Sequence, residues 1–164
     1  MEPLPRTAIT LDDCRRHIEA VHNLEGIDTA AIEAYLARHV VLVLCAEIEQ
    51  SITELVYERV DRGGCDEVVA NLMRARKKGM VRSATHDEIG QTLGQLGVKI
   101  RDQYRAAVEA SIGELGVSRL GNAVGARDAV SHSVPPSITL GDVRHAYEAA
   151  LHVVVAARDA LSTS

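Results

Sequence analysis

The segment Arg127-Asp128-Ala129-Val130-Ser131-His132 gathers a permanent cation, a carboxylate and a titratable imidazole. Five residues along a helix turn a side chain by about 500°, a net 140°, so Arg127 and His132 can both reach one helix end. Asp128 and His132 stand four apart and are surface neighbours on a helix. A carboxylate there orients the ring and favours its protonated form, and the negative end of the helix acts in the same direction. A guanidinium fork that grips an anionic phosphate, beside an imidazole that moves a proton to or from a ribose oxygen, is what phosphoryl chemistry on RNA needs. The same residues also fit a plainer arrangement, with Arg127 solvated and Asp128 paired with His132 on the surface. Arg15 and Arg16 precede His22 at comparable spacing near the other end of the chain, so spacing alone decides nothing.

Other candidates carry less chemistry. Asn122, five residues before Arg127, can contact a phosphate or cap a helical turn. Arg74, Arg76, Lys77, Lys78 and Arg82 form a basic run with no acid between Asn71 and Arg82. It can follow an RNA backbone, or simply be a solvated helix end and loop. Cys14, His17 and His22 could partly converge on a metal, but no fourth ligand stands at a diagnostic spacing, and no metal or cofactor is expected. His145 and His152, seven apart in the last helical segment, read as surface residues. Phosphate-loop, dinucleotide-binding, zinc-protease and serine-hydrolase patterns are all missing.

Helices must position these groups. The chain has 164 residues, about one domain's worth, and 46% of them are apolar. It holds no Phe or Trp and only four Tyr, so Leu, Ile, Val and Ala must fill the core. A base-stacking reader of single strands would need aromatic faces this chain lacks. The net charge of −5 argues against a non-specific nucleic-acid coat, though not against a local basic patch. Three widely spaced cysteines without a CxxC pair suit a reduced, cytoplasmic setting. The longest apolar run, Val40 to Ala46, falls far short of the ~20 residues that cross a bilayer, so no membrane partner is expected.

Helix punctuation predicts one all-α domain over residues 1–164, a single bundle of four to six helices. Thr10 caps a first helix closed by Gly26. Asp28 opens a long scaffold helix reaching Asp61 before Gly63-Gly64, about 48 Å by helical rise. Asp66–Lys78 is a short helix ended by Gly79. Thr85 opens another, interrupted near Gly97; Val98–Leu115 follows, with Gly113 and Gly116 marking its decay. Ser118 caps a helix through Ser131, stopped by Val134-Pro135-Pro136. Thr139-Leu140-Gly141-Asp142 then starts a final helix to about Leu161.

The late stretch from Gly121 to His132, an Arg-x4-His motif with a polar residue directly after the Arg, resembles the HEPN superfamily, and within it the RiboL-PSP branch and related HEPN-like nucleases. The motif ends the penultimate helix and one long helix follows, as in that family; the likeness in helix order covers about residues 28–161. Arg15, Arg16 and His22 fall where the family has no motif. The resemblance implies a metal-independent endoribonuclease in which the ribose 2′-oxygen attacks the adjacent phosphate. His132 would move protons and Arg127 would stabilise the transition state. It further implies a homodimer that brings two Arg/His pairs into one cleft, and a toxin or antiviral role with an antitoxin or regulatory protein as possible partner. A polar residue on the long helix supports the family's site, and Glu49, on the Cys45/Ile52/Val56 side, is the best match here, an exposed helix glutamate being its plain alternative. The alternative within the same fold is an inactive helical interaction or nucleotide-binding module.

Overall fold

The computed structural model describes residues 3–22, 24, 26–63, 80–131 and 138–162. Among these residues five helices pack together and there is no strand. They are α1 (Pro5–Val21), α2 (Thr29–Arg62), α3 (His86–Gly94), α4 (Val98–Ser131) and α5 (Leu140–Ser162). The helix expected over Asp66–Lys78 lies outside the described residues, as does the Val134-Pro135-Pro136 stop.

The scaffold helix is α2. Asp28 caps it by accepting from Ala31 N at 3.0 Å, and its 34 residues extend for about 50 Å. Val40, Leu44, Ile48, Ile52 and Val56 recur at fourfold spacing and are buried. This stripe faces α1, α4 and α5, which all pack on α2. By length and composition α2 is also apolar enough to cross a membrane, contrary to the expectation from unbroken runs. Counting unbroken runs stops at Glu47, whereas the helix as a whole stays apolar on either side of it.

Two helix starts differ from local expectation. Thr10 does not cap α1: the helix begins at Pro5, whose fixed φ suits a first helical position. Its cap comes instead from α2, where the Glu47 carboxylate accepts from Arg6 N at 2.9 Å, Thr7 N at 2.8 Å and Thr7 Oγ1 at 2.7 Å. Thr10 Oγ1 donates backwards to the Arg6 carbonyl, and the helix ends at Val21 rather than running to Gly26. Ser118 likewise caps nothing, because it sits inside α4.

The break in α4 falls at Gly113, with φ 56° and ψ −169°, a backbone region essentially reserved for glycine. Three residues on, Gly116 lies so close to Ile112 that a Cβ there would stand 2.5 Å from the Ile112 Cβ. Thr85 caps α3 by accepting from Glu88 N, and fully buried Tyr104 ties α4 to α3 through the His86 ring, 3.0 Å from its hydroxyl. At the start of α5, Thr139 Oγ1 accepts from Asp142 N at 3.1 Å while Asp142 Oδ2 accepts from Thr139 N at 3.1 Å, a reciprocal capping box. Alanines at 146, 150 and 157 on the buried face of α5 let it lie close along α4 and α2.

Candidate functional site

Arg127 stands just over one turn from the end of α4, on the side that packs against α2. Its Nη1 donates to Glu49 Oε1 of α2, and its Nε donates to Asp128 Oδ1 at 3.1 Å. The Arg127 and Glu49 side chains are 19% and 27% exposed, so this ion pair is partly withdrawn from water; Asp128, at 58%, is not. The long helix and the motif helix are therefore pinned to each other by a guanidinium clasped between two carboxylates.

Beneath the clasp lies Cys45, one helical turn before Glu49 and buried. Burial pushes its thiol up to about 12; the Arg127 cation pulls the other way and the two carboxylates add to the rise. A thiol held so far from ionisation packs as a small hydrophobe and is no nucleophile at neutral pH. Burial by itself would weaken the Arg127 cation, but its hydrogen bond to Glu49 and the neighbouring Cys45 and Asp128 outweigh it and hold its pKa above the ordinary value. Arg127 is thus a fixed, oriented positive charge, and that is its chemical asset: a planar fork whose direction is set before any anion arrives. Beside Glu49 a cleft of about 350 Å³ opens, lined by Ala46, Gln50, Thr53, Glu54, Met80 and Val81.

The remaining candidates fall in different places. His132 lies outside the described residues, one position past the last residue of α4. Arg74, Arg76, Lys77 and Lys78 also lie outside them; Arg82 is described, exposed, and next in sequence to cleft-lining Val81. Asn122 caps no turn, because α4 begins well before it. It is exposed, and the hydrogen bonds of the clasp run to Glu49 and Asp128 rather than to it. It lines a separate cavity with Arg119 and His145. His145 and His152 are both exposed on α5. Among the described residues no three His, Cys, Asp or Glu side chains converge as metal ligands.

Two features escaped the sequence. The Glu47 anchor joins residues forty apart, a pairing no local pattern encodes. The Arg119 cavity did leave a trace: Arg119, Asn122, Ala126 and Ala129 recur at three- and four-residue steps along one helical face.

Compared with protein-family models, curated proteins and solved structures, the chain matches none of them.

Proposed function

We propose that the chain is a HEPN-type, metal-independent endoribonuclease that works as a homodimer, serving as a toxin or antiviral effector under the control of an antitoxin or other regulatory protein. The observation that carries this reading is the clasp: Arg127 of the motif helix is oriented from two sides by Glu49 and Asp128. A bystander arginine would be expected in solvent with a mobile head.

In the proposed reaction a ribose 2′-hydroxyl attacks the neighbouring phosphorus while one His132 takes its proton. The bond from phosphorus to the 5′-oxygen breaks, and that oxygen leaves with a proton from the His132 of the second protomer. The products are a cyclic phosphate and a free 5′-hydroxyl. Two imidazoles are required because cleavage needs a base and an acid together. Arg127 faces the phosphoryl oxygens as negative charge accumulates on them, and its preset orientation is what lowers the barrier. Glu49 positions the guanidinium, and the basic residues Arg74, Arg76, Lys77, Lys78 and Arg82 would guide the strand.

One observation favours a second reading, an inactive interaction module of the same fold. Both carboxylates already occupy Arg127, and the outer face of α2 exposes Tyr35 and Leu42. The two readings separate in one experiment. Purified protein incubated with total RNA in EDTA should cut it, and His132→Ala should abolish cutting while keeping the helical circular dichroism. No cutting by the wild type supports the module instead, and undiminished cutting by the variant rejects the proposed role of His132.

A further inference from the structure

Arg38 of α2 is a cation the fold does not satisfy. Its neighbours one helical turn away are Ala34, Tyr35, Val41 and Leu42, so the helix itself offers it no carboxylate. Its Nε is sealed from solvent with no acceptor in reach, and among the described residues nothing hydrogen-bonds or pairs with the rest of the head. The two Nη nitrogens are not sealed. Arginines elsewhere, such as Arg6, Arg62 and Arg127, each meet a carboxylate. A fully exposed arginine leaves its head to water, whereas a dehydrated N–H without an acceptor is a standing cost. The fold thus holds a guanidinium half-buried, with its Nη edge open to an anion.

The position of Arg38 defines the anion. Arg38, Cys45 and Glu49 follow at seven and four residues, so one line of α2 carries all three. Arg38 and Glu49 are three turns apart, about 16 Å, and Glu49 holds Arg127. Two cations on one line at that distance match separate phosphates of a single strand, about five nucleotides apart at about 3.4 Å each when stacked. Tyr35, one turn before Arg38, is 71% exposed, so its ring is free to take a base beside that phosphate. We propose that Arg38 grips a second phosphate of the RNA strand, three turns of α2 from the one at Arg127, with a base against Tyr35. One ring is no sequence reader, so the grip is indifferent to base identity. The ring and the line shared with the clasp favour a nucleic acid over an acidic protein partner. The identity of the strand rests on the ribonuclease reading; the unsatisfied cation does not.

The test is binding without cutting. The full-length chain is titrated by fluorescence anisotropy with a labelled 2′-O-methyl RNA of about twelve nucleotides, long enough to span both cations and unable to undergo 2′-oxygen attack. The wild type should bind saturably. Arg38→Met keeps the apolar stem and removes the charge; it should bind about tenfold more weakly and lower the slope of log K against log salt by about 0.7, one phosphate of a single strand. Its thermal midpoint should equal or exceed that of the wild type, because an unpaired N–H leaves the interior. Arg38→Lys should restore the salt slope, and Arg158→Met, which removes an exposed cation on α5, should bind like the wild type. The proposal is overturned by a salt slope unchanged in Arg38→Met, by a slope that Arg38→Lys fails to restore, or by a lowered midpoint or lost folding in Arg38→Met, the mark of a structural arginine. A wild type that binds no RNA overturns it together with the ribonuclease reading. A wild type that cuts RNA while Arg38→Met keeps the full slope overturns this inference alone.

Discussion

The Arg127–Glu49 contact can be measured as a coupling energy. Exposed ion pairs contribute about 0.2–1 kcal/mol, whereas hydrogen bonds to charged groups shielded from water reach about 1.5–3 kcal/mol. With side chains 19% and 27% exposed, this pair falls between the two regimes, at about 1–2 kcal/mol. A double-mutant cycle of Arg127→Ala, Glu49→Ala and the double variant, each unfolded in urea, isolates that energy. At a typical urea slope of about 2 kcal/mol per molar, the coupling corresponds to roughly 0.5–1 M in midpoint. Moderate salt should remove only part of it, because partly buried charges are screened less than exposed ones. The parallel cycle with Asp128, whose side chain is 58% exposed, should give a much smaller value. A coupling below about 0.3 kcal/mol for Arg127 and Glu49 would equal that of unconnected sites and refute the clasp.

Three further outcomes follow from the same structure. Glu47→Ala strips the acceptor from Arg6 N and Thr7 N at the start of α1, and should cost about 3 kcal/mol, a fall in thermal midpoint of roughly 6–12 °C by calorimetry; a fall under about 2 °C, or about 0.5–1 kcal/mol, would contradict the anchor. Gly113→Ala should cost about 1–3 kcal/mol through the backbone alone, since its Cβ would touch nothing, and an unchanged urea midpoint would rule out the positive φ. The hydrogen bonds from Thr139 hold the Asp142 carboxyl below its ordinary 3.8. A depressed folded pKa adds stability above the unfolded value that is lost as pH falls through the folded one. Wild type should therefore exceed Asp142→Asn in stability at neutral pH, and the gap should close only below about pH 4; a gap independent of pH would exclude the charged cap.

Much of the architecture is legible in the sequence where the physics is local. Asp28, Thr85 and Thr139 announce helix starts because a short side chain caps amides only two or three residues away. Gly113 signals a break because its dihedral needs glycine. Legibility stops where the partner comes from afar. Glu47 is indistinguishable in sequence from Glu54 or Glu58, yet it is buried as the cap of another helix, so the true start of α1 went unread while Thr10 imitated one. Glu49 is read onto the inner side of α2 from its neighbours Cys45, Ile52 and Val56, and it meets Arg127 there. Asn122 fails as a cap because the helix has already resumed after the break at Gly113, nine residues earlier.

The central claim is that the guanidinium clasped by Glu49 serves RNA cleavage. It is tested most directly by cutting a defined RNA oligonucleotide in EDTA with wild type and with Arg127→Ala, then determining the chemistry of the new ends. The account predicts cyclic phosphate and 5′-hydroxyl termini from the wild type and a rate lower by at least about a hundredfold from the variant, the scale of losing one aligned transition-state donor. An intact oligonucleotide, 5′-phosphate termini, or equal rates for the two proteins would contradict it.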